Sequence, residues 1–110
     1  MYWRLGDYAT KRDTLERALA INERTYGRDH IQLAASLGSL GLAYGELGDA
    51  AKKRDMLERA LAIQERAYGP DRVELGITLG NLGSAYGQLG DQAKKRDMLE
   101  RALAINERAY

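Results

Sequence analysis

The chain has no cysteine and no phenylalanine, and only one histidine (His30), one tryptophan (Trp3) and one proline (Pro70) among its 110 residues. Without cysteine there is no disulfide framework, no thiol nucleophile and no thiolate metal site. A single histidine removes most imidazole chemistry. Seventeen Lys and Arg stand against 16 Asp and Glu, a formal charge of +1, so no overall field draws nucleic acid or an anionic membrane to the chain. No apolar run reaches the ~18 residues that a membrane span needs. The opening Met1-Tyr2-Trp3-Arg4-Leu5-Gly6-Asp7 has no apolar signal core, and the expectation is a cytoplasmic protein. The length suits one small domain with one core. Its apolar content comes mainly from Ala and Leu, which favours helices over a β-sandwich.

What the chain does have is internal repetition, with a period of 42 residues. Leu47 to Tyr68 matches Leu89 to Tyr110 except at Ala50/Gln92 and Gln64/Asn106, and Leu5 to Tyr26 follows with more changes. Gly27 to Glu46 aligns with Gly69 to Gln88. Tyr2 falls in register with Tyr44 and Tyr86, so the chain opens on the tail of a truncated element, with Trp3 and Arg4 where Gly45 and Glu46 would stand. Solenoid ends usually carry a polar outer face. Neither end here does, and the expectation is about 2.5 repeats cut from a longer array, or a designed array.

Each period reads as two helices. Helix A is expected over residues 29–46 and 71–88, and helix B over 9–26, 51–68 and 93–110. Asp29 with Gln32, and Asp71 with Glu74, have the spacing of a capping box at the start of helix A. Gly48 and Gly90 can take the left-handed conformation that ends it, and Asp49 and Asp91 can then cap helix B. In helix B, Leu99, Ala102, Leu103 and Asn106 form one stripe and Met98, Ala102, Ile105 and Ala109 an adjacent one, so the helix is buried on two sides. The order is B-A-B-A-B, five helices in an all-α array whose short loops make neighbours antiparallel.

The pattern Leu79-x-x-Leu82-Gly83-x-x-Tyr86, then Gly90-Asp91, then Ala102-Leu103, resembles the tetratricopeptide repeat signature. Leu37, Leu40, Gly41, Tyr44, Gly48, Asp49, Ala60 and Leu61 repeat it. The period, with Ala-Leu-Ala-Ile-x-Glu-Arg-x-Tyr-Gly-Pro-Asp, is similar to the longer-helix variant of kinesin light chains and of arrays attached to nucleotide-binding signalling proteins. The resemblance implies a right-handed α-solenoid acting as a protein-interaction scaffold, a fold that does not by itself fix a function.

Two departures from the family pattern carry the candidate sites. Where relatives have a small alanine early in helix B, this chain has Lys11, Lys53 and Lys95, each seven residues before Ala18, Ala60 or Ala102 and on an extension of the buried stripe. Two outcomes are open. The ammonium groups pair with Asp13, Asp55 and Asp97 or with Glu16, Glu58 and Glu100, forming a charge ladder that sets the register between repeats. Alternatively the lysine stems lie along the surface with their charges in water.

The second departure is glycine inside helix A, at Gly38, Gly41, Gly45, Gly80, Gly83 and Gly87. Each costs up to about 1 kcal/mol against alanine, so close helix packing is expected to compensate. The same packing accounts for Gly41-x-x-x-Gly45 and Gly83-x-x-x-Gly87, which imitate a membrane dimer motif. Gly38 and Gly80 fall where relatives point groove side chains at a peptide, and the basic and asparagine clamp for a terminal carboxylate is missing. A groove would be narrow and weakly polar, lined by Ala35, Gly38, Leu42, Ile77, Gly80, Ser84 and Gln88.

Other chemistry finds little support. His30 beside Asp29 reads as a surface residue at a helix start, and its counterpart Arg72 cannot ligate a metal. No phosphate loop, nucleotide fingerprint or glycosylation acceptor is present. Arg54 with Glu58, Asp55 with Arg59, Arg96 with Glu100 and Asp97 with Arg101 have the spacing of helix-surface ion pairs rather than of acid-base machinery. No enzyme, metal site or cofactor is expected. The triplets Lys52-Lys53-Arg54 and Lys94-Lys95-Arg96 could form a stripe for a polyanion or RNA, but Asp49, Asp55 and Glu58 surround them and no aromatics interleave. Tyr26, Tyr44, Tyr68, Tyr86 and Tyr110 are all expected in the core. The partner is expected to be a protein or peptide. Near-identical faces on the terminal B helices would let chains stack head to tail through an interface that does not close, the alternative being a monomer that holds a peptide or helix in the groove.

Overall fold

A computed structural model of the chain describes residues 5–109. The expectations placed on Tyr2, Trp3, Arg4 and Tyr110 lie outside the described residues. Five helices and no strand are found among the described residues: α1 (Leu5–Tyr26), α2 (Gln32–Glu46), α3 (Ala50–Tyr68), α4 (Glu74–Gln88) and α5 (Gln92–Ala109). The odd-numbered helices are copies of helix B, the even-numbered ones copies of helix A. Each helix packs on the next, and α2 also touches α4, which makes the chain a solenoid of antiparallel pairs.

The turn from A to B is built as its residues dictate. Gly48 and Gly90 have φ of 84° and 85°, the left-handed region that a Cβ disfavours. The following amides of Asp49 and Asp91 then reach back to the carbonyls of Tyr44 and Tyr86, both at 2.9 Å. Asp49 and Asp91 also accept the amides of Lys52 and Lys94 at 3.0 Å through their carboxylates, and so cap α3 and α5.

Helix A starts later than its capping-box spacing suggests. The residues that enter α2 and α4 are Ile31 and Val73, neither of which caps with its side chain. Asp29 and Asp71 are instead paired with Arg66 at 3.4 Å and Arg108 at 2.9 Å, near the C-terminal ends of α3 and α5. A carboxylate turned towards a guanidinium there is not available to the local amides. In the first copy, His30 Nδ1 accepts the Gln32 amide at 3.1 Å. α1 starts earlier than expected, at Leu5, with Asp7 in its first turn, where a carboxylate favours the positive end of the helix dipole.

The core is divided by junction. Leu19 of α1, Leu33, Leu37, Leu40 and Tyr44 of α2, and Ala60 and Ile63 of α3 form one buried cluster. Leu57 and Leu61 of α3, Leu75, Leu79, Leu82 and Tyr86 of α4, and Ile105 of α5 form the next. Helix α3 therefore packs Ala60 and Ile63 into the cluster with α2, and Leu57 and Leu61 into the cluster with α4, with Leu57 also lying against Gly41 of α2, which is the two-sided burial its stripes imply.

Candidate interaction surface

Four of the helix A glycines are explained by what lies on them. A Cβ at Gly41 would come within 3.2 Å of Leu57, and one at Gly83 within 3.3 Å of Leu99. A Cβ at Gly45 would sit 2.7 Å from Lys53 Cδ, and one at Gly87 2.8 Å from Lys95 Cδ. The two departures from the family pattern are therefore one feature, because the lysine stem of helix B lies across the bare backbone of helix A. Gly38 and Gly80 differ, with nothing within 4 Å of a Cβ there.

Lys53 is buried, and its Nζ donates to Ser84 Oγ and Gln88 Oε1 of α4, both at 3.4 Å. Its partners are neutral oxygens of the next repeat rather than Asp55 or Glu58. Asp13 and Asp55 pair with the adjacent Arg12 and Arg54 at 3.0 Å. Glu16 and Glu58 accept the hydroxyls of Tyr44 and Tyr86. Glu100 lies 4.0 Å from Arg96, and Asp97 and Lys11 are exposed. The lysine ladder is thus replaced by another arrangement, since the stem's path over Gly45 aims the ammonium away from its own helix's carboxylates. Burial first, and then the hydrogen bond to Glu16, push the Tyr44 phenol up to about 12.

A periodic series of ion pairs does link the repeats, with other members. An Arg59 guanidinium nitrogen reaches Glu23 at 2.8 Å and the Arg28 carbonyl at 3.0 Å. Its counterpart in Arg101 reaches Glu65 at 2.6 Å and the Pro70 carbonyl at 3.2 Å. Helix spacing alone pairs these arginines with Asp55 and Asp97. They lean instead into the loop before helix A, where carboxylate and carbonyl together satisfy the guanidinium. A further link joins Asn22 to Ser36 at 3.3 Å, and Thr78 to Gln64 at 2.7 Å.

The expected groove is divided. Ala35, Gly38, Leu42 and Ile77 line one cleft of about 380 Å³ between α2 and α4, together with Ser39 and Tyr68. Gly80, Ser84 and Gln88 line another of about 300 Å³, with Gly87, Lys95 and Leu99. Of the tyrosines, Tyr44 and Tyr86 are buried, whereas Tyr26 and Tyr68 are exposed. Tyr26 stacks on His30 and Tyr68 lies beneath Arg72. These two end helix B beyond the reach of the apolar stripe, which is why they are not core. The basic triplets do not form one stripe. Lys52 and Lys94 lie over the rings of Tyr44 and Tyr86, and Lys53 is inside. No helix among the described residues is long and apolar enough to cross a membrane, and no cluster among them is suited to a metal ion.

The two terminal helices expose apolar residues whose interior counterparts are buried. Ile21 of α1 is 60% exposed, while its counterparts Ile63 and Ile105 are 3% and 2% exposed. Leu99 and Leu103 of α5 are 42% and 59% exposed, while Leu57 and Leu61 are 1% and 8% exposed. The bare side of α1 is the one that α3 turns to α2, and the bare side of α5 is the one that α3 turns to α4. Both sides therefore match a helix A.

A family model for the tetratricopeptide repeat matches residues 1–52 and again 51–108. Among solved structures, the crystal structure of BtubC (BKLC) from P. vanneervenii is similar, with a TM-score of 0.86 and 28% sequence identity. The likeness covers 96% of this chain and 42% of that chain, so this chain spans less than half of its neighbour's length. No curated protein matches. Two successive family matches over a stack of antiparallel helix pairs place the chain in the tetratricopeptide repeat family, whose repeats generally mediate contacts between proteins and are typically non-catalytic.

Proposed function

We propose that the chain is a protein-interaction scaffold whose α5 face binds one amphipathic helix with the pattern of its own helix A. The observation that carries this reading is the contrast between Leu99 and Leu103 on α5, exposed, and Leu57 and Leu61 on α3, sealed beneath α4. The residues are identical and the covering helix is the difference. A cleft of about 360 Å³ lined by Lys95, Leu99 and Leu103 lies on the same face and supports the reading. A second folded copy has no helix A to lend, since α2 is held between α1 and α3, and α4 between α3 and α5.

The test is a labelled peptide of residues 71–88, stapled into a helix through solvent-facing positions and titrated against the full chain by fluorescence anisotropy. Saturable binding that is lost in Leu103→Asp supports the reading. Absence of binding, or binding indifferent to that substitution, overturns it.

A second reading, association of chains end to end, is favoured by the charges left over at the two ends. Arg17 occupies on α1 the position of Arg59 and Arg101, and Glu107 occupies on α5 that of Glu23 and Glu65; each lacks the corresponding partner. They are opposite in sign and lie on opposite ends, so a direct α5-to-α1 contact would gain attraction at low salt. Sedimentation at rising protein concentration, at low and high salt, decides it. Mass that grows without fixed stoichiometry and falls back with salt supports stacking, and a constant 12.3 kDa excludes it.

A further inference from the structure

We infer that His30 is a pH-responsive latch, which fastens the start of α2 to the end of α1 while its imidazole is neutral and lets go of α2 when the ring takes up a proton. Its position carries the inference. The ring stacks on Tyr26, the last residue of α1, with centroids 4.9 Å apart and planes 27° from parallel. Its Nδ1 accepts the amide of Gln32, the first residue of α2, at 3.1 Å, and its carbonyl accepts the Leu33 amide at 2.9 Å. Ile31, the residue that enters α2, offers no side-chain cap, so the imidazole supplies the side-chain acceptor there. An acceptor at Nδ1 requires the ring proton on Nε2, and the imidazolium has two donors and no acceptor. Protonation therefore removes the bond to Gln32 and places a positive charge at the positive end of the helix dipole.

The second copy holds the same latch in a form that neutral and mildly acidic pH leave unchanged. Arg72 occupies the position of His30, lies over the Tyr68 ring at 5.5 Å and donates to both carboxylate oxygens of Glu74, at 3.2 and 3.1 Å. The Glu74 backbone amide, and then Arg72, hold that carboxyl below its usual range, so the pair keeps its charges. In the first copy Gln32 stands where Glu74 does, and the first turn of α2 holds no acidic residue, so an imidazolium has no such carboxylate to turn to. The carboxylates nearby are engaged elsewhere. Glu23 of α1 pairs with Arg28 of the loop and Arg59 of α3, and Asp29 pairs with Arg66 of α3. Arg24, in the last turn of α1, adds a further positive charge. The face of the Tyr26 ring suits either form of the imidazole. The contact that a proton breaks is therefore the one to α2.

The experiment compares the full chain with a variant carrying His30→Arg and Gln32→Glu together, the pair found in the second copy. NMR follows the imidazole and the amides of residues 32–34 between about pH 8 and about pH 5, the range in which histidine changes charge. In the unaltered chain the Gln32 amide proton is expected to leave its hydrogen-bonded position in step with the titration of the His30 ring, while the Glu74 amide stays where it is. Urea denaturation of the same proteins reads the linkage. The neutral ring belongs to the fastened form, so protons favour release. Over that range the unaltered chain is expected to lose about threefold to tenfold more of its folding equilibrium constant than the double variant does, the worth of a helix cap. His30→Asn, whose amide oxygen is an acceptor at every pH, serves as the reference if the double variant does not fold. A Gln32 amide that ignores the ring's titration overturns the inference, and so does an equal loss in the unaltered chain and the reference.

Discussion

The Lys53 stem lies across Gly45, close enough that a Cβ on that glycine would stand 2.7 Å from Lys53 Cδ. A charged side chain is thereby brought into the seam between three helices, its methylenes on α2 and its ammonium on the oxygens of α4. Gly45→Ala is expected to destabilise the chain by about 1–3 kcal/mol, since the added methyl must push the stem off its path. Lys53→Met keeps the stem and removes the charge, and is expected to stay within about 1 kcal/mol of the parent, because a buried ammonium held by neutral oxygens adds little net stability. Urea denaturation of both variants checks the pair; a loss in Lys53→Met as large as that in Gly45→Ala would contradict this account.

Gly38 and Gly80 stand in the same helices with nothing within 4 Å of a Cβ. Gly38→Ala and Gly80→Ala are each expected to raise stability by about 0.5–1 kcal/mol, the helix propensity difference without a steric penalty. Thermal melts of the single and double variants measure this, and additive gains are expected because the sites lie on different helices.

Arg59 is the centre of a junction contact that its own helix does not reveal. It joins Glu23 and the Arg28 carbonyl across the α1 to α2 loop, with both side chains largely screened from water. Arg59→Ala is expected to cost about 1–3 kcal/mol, and Arg59→Lys to recover only part of it, because a point charge cannot serve carboxylate and carbonyl as a guanidinium fork does. A double-mutant cycle with Glu23→Gln isolates the coupling, and a cycle that closes to zero would remove the ion pair from the account.

Tyr44 connects stability to alkaline pH. Its phenol is raised from 10.0 to about 12 in the folded chain. A group whose pKa is higher when folded contributes stability that is complete below its unfolded pKa and is lost as the pH rises through the folded one. Unfolding free energy is therefore expected to decline between pH 10.0 and about 12. Tyr44→Phe should flatten that limb while costing about 1 kcal/mol at neutral pH for the lost hydrogen bond to Glu16. Parallel alkaline limbs in the two proteins would rule out Tyr44 as the source.

Much of this fold can be read from the chain because its determinants are local. The repeat, the Gly48-Asp49 and Gly90-Asp91 breaks, the Asp49 and Asp91 caps and the small positions Gly41 and Gly83 each depend on residues a few places apart. The start of helix A departs from its local pattern for the same reason. Asp29 and Asp71 have a capping partner in the sequence, yet their carboxylates meet Arg66 and Arg108, which only the stacking brings near.

By itself, the sequence determined the helices, their order and their two-sided stripes, since backbone propensity and apolar period act within a single turn. Tertiary structure alone decided which polar partners meet. Lys53 finds Ser84 and Gln88 at separations of 31 and 35 residues, and Arg59 finds Glu23 at 36. At each of these positions a nearer partner of suitable charge was present along the helix. The choice fell to the repeat-to-repeat rotation and to the bare backbone of Gly45, which direct a long side chain out of its own helix and into the next junction. The same stacking decided that Leu57 is sealed and Leu99 is open, a difference between two identical residues that only their neighbours create.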